Sequence, residues 1–485
     1  MVRCVVSYCA IWFCTLIFSA PVLAASTMDE WFSAFKAQAT PAQLYGFLQH
    51  MPKGGDLHHH LTGSGFSHWW WDIATDEAHN GGYRYYTRTL AKLCNGYGTN
   101  AYGPMPEHLL FHTVQQSTYN ALSDCKKSEY TALSDLTADQ QSAFLDSIRL
   151  DKPYEGRNEF FETHWQRLGD LTRNPHVQAY LLLKNMQAYQ LEQVTYLETQ
   201  VNVKGMLYPD GSIMQAEQAL QTIETMLASQ AATDTGVTVR FQYALLRFLP
   251  DAEQQLRWIY AFVDAHRDRY VGINFVGRED NDKGYPLRFL PVLRELRQAY
   301  PAIALSIHAG EVDEPNHHVR DTLLLGAKRI GHGLNTISDP QTLLLMRHGP
   351  YLIEINLISN LLLEYVKDFT EHPFAEYLRT GIPVALSTDD RGMWDSTLTD
   401  EFYLAVTRFN LSWQELLALH RNSLQYAFIA EPAKRALIEH WQQQTAVFEQ
   451  KQITHNTVYH PSQTGQFICR YAPKVCSLAT GDKYE

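Results

Sequence analysis

The stretch Ile303-Ala304-Leu305-Ser306-Ile307-His308-Ala309-Gly310-Glu311 carries the reading of the fold. Bulky Ile303, Leu305 and Ile307 alternate with Ala304, Ser306 and His308, the two-residue period of a strand whose side chains leave on opposite faces. With the bulky face packed under outer helices, the small face looks inward. His308 then ends the strand inside the mouth of a barrel, with Glu311 in the loop immediately above it.

Outward from this strand, short β-branched runs alternate with longer helical patterns from about residue 190, which is how βα units around a parallel sheet read. Eight runs are found: the segment ending in Leu57-His58-His59-His60, then Val194–Thr199, Val237–Ala244, Val271–Val276, Ile303–His308, Lys328–His332, Tyr351–Ile355 and Pro383–Thr388. Eight parallel strands close a TIM-type barrel, so the expected class is α/β, a (β/α)8 barrel. More than 130 residues separate the first run from the second, too many for one crossover. Residues 65–153, rich in Tyr, Gly, Asn and Ser, are therefore expected to form an inserted subdomain after strand 1. Residues 25–64 supply an N-terminal segment and the first strand, and 154–450 the remainder of the barrel. That remainder ends in a helical C-terminal extension (Ser412 to Phe428, Glu431 to Gln450), and 451–485 are a polar tail.

The chain has 485 residues, of which 45% are hydrophobic, 19% charged and 12% aromatic, which excludes a disordered chain. A formal charge of -12, from 40 Lys+Arg against 52 Asp+Glu, argues against a broad basic face and hence against nucleic acid as the partner. The first 24 residues read as a signal peptide: Arg3, an apolar run from Cys4 to Ala20, a Pro21 breaker and Val22-Leu23-Ala24, with cleavage after Ala24. The apolar run is shorter than the ~20 residues a membrane span needs. The expectation is a secreted or periplasmic protein with no membrane segment once the leader is removed. Four cysteines remain, Cys94, Cys125, Cys469 and Cys476, and of the three ways to pair them the local one, Cys94–Cys125 with Cys469–Cys476, needs the least chain rearrangement. The sequence does not fix the oligomeric state, and a homodimer stays open.

The chemistry is carried by residues far apart in the chain. His58 and His60 stand at i and i+2, on one side of an extended segment, where they can share a metal, and His59 faces away. His308 ends its strand on the inward face. In Pro383-Val384-Ala385-Leu386-Ser387-Thr388-Asp389-Asp390 the same parity puts Asp389 with Ala385 and Ser387, inward again. Three imidazoles and a carboxylate suit one Zn2+ per chain, with room left for a water. Such an ion lowers the pKa of that water from ~15.7 to about 7. His332, in Arg329-Ile330-Gly331-His332-Gly333, is another strand-end histidine, cast as a hydrogen-bonding or proton-handling partner of the water.

Together, Met51-Pro52-Lys53-Gly54-Gly55-Asp56-Leu57-His58-His59-His60-Leu61, Ser306-Ile307-His308-Ala309-Gly310-Glu311, Arg329-Ile330-Gly331-His332-Gly333 and Leu386-Ser387-Thr388-Asp389-Asp390 resemble the adenosine deaminase family of metal-dependent aminohydrolases, in particular its secreted, growth-factor-type branch. The resemblance implies zinc on His58, His60, His308 and Asp389, with Glu311 donating a proton to purine N1. It also implies that His332 positions and deprotonates the attacking water, and that Asp390 and the backbone at Gly277 hold the purine. The implied reaction is hydrolytic deamination of adenosine or 2′-deoxyadenosine, a small-molecule purine nucleoside, to the inosine product with release of ammonia. Glu311 would have to be kept protonated by its surroundings.

Two departures stand out. Many relatives follow the second metal histidine with Leu-Asp-Gly, whose Asp binds ribose. Here the stretch is Leu61-Thr62-Gly63, so Thr62 is the expected sugar contact, without a carboxylate's charge or reach. Arg391 follows the Asp pair where Pro is usual, either as a solvated loop charge or as a substrate contact. Trp69-Trp70-Trp71 is either core of the insertion or a wall of the pocket. Other readings are a deaminase of a different 6-aminopurine, such as an N6-substituted adenosine or adenine, and a secreted binding or signalling protein on a deaminase scaffold. Cytidine-type deaminases are excluded, since their Pro-Cys-x-x-Cys element is absent.

Overall fold

The structure is a computed structural model that describes residues 21–92, 94, 109–152, 155–280, 283–314, 316–455 and 457–476, of which 21–27 are described in backbone only. The expected leader falls outside the described residues except for its last four, which begin the helix Pro21–Gln38. Among the described residues no helix is long and apolar enough to cross a membrane.

Eight parallel strands follow one another around a single sheet: β1 (Lys53–Asp56), β2 (Val194–Gln200), β3 (Thr238–Leu246), β4 (Tyr270–Val276), β5 (Ala304–Ala309), β6 (Arg329–His332), β7 (Leu352–Ile355) and β8 (Val384–Leu386). Helices link them and cover the outside, so the fold is a (β/α)8 barrel and all eight runs read from the sequence are strands. The parity of β5 holds: Ser306 and His308 face the interior, where they meet Glu354 and Asn274, while Leu305 and Ile307 join the apolar layer beneath the helices.

β1 differs from the sequence reading by ending at Asp56, before the three histidines. Beyond it the chain stays extended but makes only single bridges, His59 to Asp389 and His60 to Gln200. The seam between β8 and β1 is closed from outside by the helix Trp413–Gln425. Gly55 N donates to Ser423 Oγ at 2.7 Å, Gly54 N to His420 Nδ1 at 3.4 Å, and Asn422 Nδ2 to Val384 O at 2.9 Å. Glycine is required here because a Cβ at Gly54 would lie 2.2 Å from His420 O. The helix itself starts on a reciprocal cap, with Ser412 accepting from Glu415 N and the Glu415 carboxylate returning to Ser412 N.

The barrel interior is polar along its axis. Arg329 bridges Glu198 and Glu354, each at 2.6 Å, and all three are fully buried. Gln242 Nε2 adds a bond to Glu198 at 3.0 Å, and Ser306 Oγ one to Glu354. Such a triad holds only because the remaining oxygens are bonded as well.

Within residues 65–153 a three-stranded antiparallel sheet forms from Thr113–Gln115, Tyr85–Arg88 and Tyr130–Ala132, in that spatial order. The segment shares the core of the barrel: Trp70 and Ile73, on the helix Ser67–Thr75, are buried in the same cluster as Leu181 of the helix Pro175–Leu191. Cys94–Cys125 and Cys469–Cys476 are bonded, the local pairing. The last long helix runs Glu431–His455, five residues into the expected tail, and the tail carries the short helix Gln466–Tyr471.

The seam yields a prediction. Gly54→Ala forces a methyl against the His420 carbonyl and should cost about 1–3 kcal/mol, read as a lower urea midpoint with the m-value unchanged.

Candidate metal and catalytic site

The strand ends bring five side chains to one point. His60 Nε2 lies 3.1 Å and His58 Nε2 3.4 Å from Asp389 Oδ1, and His332 Nε2 lies 3.9 Å from Asp389 Oδ2. The ring centroids of His58 and His308 are 4.4 Å apart, those of His60 and His308 5.3 Å. Donor atoms of His58, His308, His332 and Asp389 all lie within 4.8 Å of one another, and so do those of His60, Asp389 and Asp390. Glu311 completes the group, with Oε1 3.7 Å from His332 Nε2.

Three of the four imidazoles are aimed by a partner on the far nitrogen. His58 Nδ1 bonds Glu354 Oε2 at 2.7 Å and His308 Nδ1 bonds Asn274 Oδ1 at 3.0 Å, which turns both Nε2 atoms to the centre. Gly331 leaves the room His58 needs, since a Cβ there would sit 2.6 Å from the ring. His332 is set by a longer chain. Phe374 N donates to His372 Nδ1, so His372 carries its hydrogen on Nε2 and donates to Asn360 Oδ1 at 3.1 Å. The Asn360 amide N–H in turn donates to His332 Nδ1 at 3.0 Å. With Nδ1 so occupied, a neutral His332 presents its Nε2 to the cluster. His59 points away as expected, onto Thr199 Oγ1 and Asn185 Oδ1.

The residues fit a cation. His58 Nε2 and His332 Nε2 are buried without a hydrogen-bond partner among the described residues, although both face the cluster. Burial lowers the His58 pKa, but the carboxylates of Asp389 and Glu354 outweigh it and push the imidazole up to about 10. The field at this point therefore favours positive charge. His332, by contrast, is held neutral by burial, down to about 3. The carboxyls divide. Asp389 is held well below the usual range: burial pushes it up, but the attraction of the neighbouring His58 and His60 imidazoles outweighs it. Glu311 and Asp390 are driven well above it, first by burial and then by the charge of Asp389.

A cavity of about 780 Å³ opens over the cluster, and its walls include every other residue expected from the sequence: Thr62, Gly277, Asp390, Glu311 and His332. Gly277 takes φ +94°, and its carbonyl is pinned by the Arg247 guanidinium, from Nη2 at 2.7 Å. Asp390 lies directly over Gly63, where an added Cβ would fall on its Oδ1. The tryptophan triplet is not in the wall; Trp69 and Trp70 are core. Arg391 is neither a solvated charge nor a substrate contact: it is fully buried, 2.8 Å from Glu192 and stacked over Tyr189.

Several residues that set this geometry were missed in the sequence. Glu354 and Asn274 carried a signal, a polar residue on the inward parity of a strand buried on both faces. Glu279 carried none. It is buried in a loop, where its carboxylate accepts from Gly310 N at 3.0 Å and Glu311 N at 2.8 Å and pairs with His318 at 2.7 Å, fixing the loop that presents Glu311.

A polar cluster of imidazoles and carboxylates at the C-terminal mouth of a (β/α)8 barrel defines a metal-dependent hydrolase of the barrel type. The sequence model of the family described as adenosine deaminase matches residues 128–444. An adenosine deaminase of Aedes albopictus is 27% identical over 423 residues, covering 83% of this chain and 74% of that protein. One of Enterococcus faecalis is 34% identical over 174 residues, 36% of this chain and 51% of that protein. Among solved structures, Arabidopsis ADAL complexed with GMP superposes with a TM-score of 0.58 at 19% identity over 82% of this chain and 98% of that one. An amidohydrolase of B. ambifaria with bound Zn gives 0.59 at 18% identity, over 84% and 94%. The chain belongs to the adenosine deaminase family of metal-dependent aminohydrolases.

Gly63→Ala tests the placement of Asp390. The methyl must displace that carboxyl, and a shift of about 1 Å in a positioning group costs on the order of 100-fold in kcat/KM. Unchanged turnover with an unchanged melting temperature would show that Asp390 is not positioned by this contact.

Proposed function

We propose that the protein deaminates adenosine or 2′-deoxyadenosine hydrolytically, using one zinc ion held by His58, His60, His308 and Asp389. The observation that carries the reading is the convergence of His58, His60, His308 and Asp389 at one mouth with Glu311 buried beside them, 3.7 Å from His332 Nε2. A zinc ion at this cluster would bring the pKa of a coordinated water from ~15.7 to about 7.

The chain's own residues account for the rest. His332, with its hydrogen on Nε2, orients the attacking oxygen as a donor. Asp389 accepts the proton that water gives up as its oxygen adds to C6. Glu311 delivers its proton to N1, so the electron density pushed onto the ring is neutralised as it forms. The amine departs as ammonia, taking one water proton. The other restores Glu311, and a 6-oxo purine remains. Asp390, kept protonated, offers a donor to a ring nitrogen, and the Gly277 backbone borders the ring. The two disulfides fit export by the expected leader to a secreted or periplasmic location.

A second reading is favoured by Thr62, which stands where a carboxylate would contact the sugar: an N6-substituted adenosine or adenine as substrate. A panel of these purines followed by ultraviolet absorbance separates the two.

Elemental analysis of the purified protein should find about one zinc per chain, with adenosine turned over. His308→Ala and Asp389→Ala should lose metal and activity together, and full activity with an empty site would sink the assignment. Glu311→Gln should retain zinc yet fall by on the order of 100-fold or more in kcat, because an amide cannot donate that proton. Rates like the wild type would remove Glu311 from the chemistry.

A further inference from the structure

A brace of buried charged residues stands behind the two chain segments that carry most of the metal-site donors, and the deamination chemistry uses none of it. Its centre is Arg391, which follows Asp389 and Asp390 directly and is fully buried. The guanidinium Nη2 donates to Glu192 Oε1 at 2.8 Å, and the group lies 4.5 Å over the Tyr189 ring and 5.6 Å over the Phe66 ring. Glu192 is the C-cap residue of the helix Pro175–Leu191, and its other carboxylate oxygen accepts from Thr399 N at 2.7 Å and Thr399 Oγ1 at 2.9 Å. Tyr189, one turn back on that helix, donates its hydroxyl to Asp56 Oδ2 at 2.8 Å. Asp56 in turn accepts from Thr388 Oγ1 at 2.7 Å and from His58 N at 3.2 Å. The end of one helix thus holds the segment after β8, through Arg391 and Thr388, and the histidine segment after β1. Asp56, Tyr189, Glu192 and Arg391 all lie outside the cavity wall.

Stability alone does not account for this arginine. Nη2 has its carboxylate, but Nε and Nη1 are buried with no hydrogen-bond partner among the described residues. Unbonded N–H groups on a buried cation cost free energy, and apolar residues of similar volume often replace a buried ion pair without loss. What a guanidinium adds over an apolar side chain is direction, because a planar fork tied to a carboxylate and laid on a ring has few places to go. One peptide bond joins Arg391 to Asp390, so fixing the fork fixes the turn. Met393 N and Trp394 N return to Asp390 O at 2.8 Å and 3.2 Å, and Asp389 just before them takes φ +56°, which an ordinary side chain keeps only under restraint.

We propose that Arg391 and Glu192 are positioning residues for the metal site: their ion pair sets where the Asp389-Asp390 turn stands against His58 and His60, and so where both carboxyls point. The proposal rests on the reading of this cluster as the zinc site of a purine deaminase.

The test compares the wild type with Arg391→Lys and with the double variant Arg391→Met/Glu192→Gln, which leaves neither charge unpaired and keeps an oxygen to accept from Thr399 N. Three quantities are read: the melting temperature, adenosine turnover per bound zinc, and the visible absorption of the cobalt(II)-substituted protein, which reports the geometry of the ligands. The double variant should melt near the wild type and bind about one metal per chain, yet turn over on the order of 10–100-fold more slowly per zinc, with a shifted cobalt spectrum. Arg391→Lys keeps the charge but not the fork, so it should shift the spectrum as well and recover only part of the turnover. A pair that merely held the fold together would lower activity only with the folded, metal-loaded fraction. An unchanged rate per zinc and an unchanged cobalt spectrum in the double variant would therefore overturn the proposal, and should that variant not fold, the same two readings on Arg391→Lys decide it. A wild type that binds metal but turns over no purine refutes the earlier reading instead, and the cobalt spectra of the variants still decide this one.

Discussion

Asp389 closes this barrel twice. Its backbone joins the last strand to the first, donating to His58 O at 2.9 Å and accepting from His60 N at 3.1 Å, and its carboxylate lies between the rings of the same two histidines. Below it the seam has few strand-to-strand bonds and depends on the helix Trp413–Gln425 and on Asp56, which accepts from Thr388 Oγ1 at 2.7 Å. Closing the sheet and assembling the cluster are therefore one event. The donors come from β5, β6 and the segments after β1 and β8, and no subset of adjacent elements holds them together. Metal affinity gained at this point is folding free energy for the seam.

That coupling also explains the distribution of charge. A core that buries Asp56, Glu198, Glu279, Glu311, Glu354, Asp389 and Asp390 cannot keep all of them ionised. Glu354 is lowered because Arg329 and His58 outweigh burial, and Glu279 because His318 and Arg247 do. Glu311 and Asp390 have no such partner and face Asp389, so they hold protons. Two carboxyls whose surroundings push their pKa values apart are what acid and base roles at one pH require. Here the separation follows from which carboxyl the histidines surround: Asp389 has His58 and His60 against it, while Glu311 is buried facing the charge of Asp389.

Much of this was legible in the sequence because strand parity is a short-range property. The alternation in Ile303–His308 and Pro383–Asp389 placed His308 and Asp389 on the inward side without any knowledge of what they face. What stayed hidden depends on contacts between distant segments. Arg391 read as a loop charge or a substrate contact, since nothing near it announces Glu192, almost two hundred residues earlier, or the Tyr189 ring it covers. The end of β1 was also misjudged. Gly54, which looked like part of a motif, serves the approach of a helix more than three hundred and fifty residues away.

The backbone at the site is itself held off its resting conformation. His332 takes φ +64° and Asp389 φ +56°, the left-handed region that costs an ordinary side chain roughly 1–2 kcal/mol. Neither residue could be swapped for glycine without losing the function of its side chain, so the surrounding bonds must fix both conformations. Asp389 is held by the seam. His332 is flanked by Gly331, which makes space for His58, and by Gly333, itself at φ +62°, whose N–H bonds Ala309 O at 3.0 Å. The small residues around the histidines thus relieve crowding that the ligand geometry creates. Strain stored in two residues and space left by their glycine neighbours are parts of one arrangement, which holds the nitrogens and the carboxylate close together.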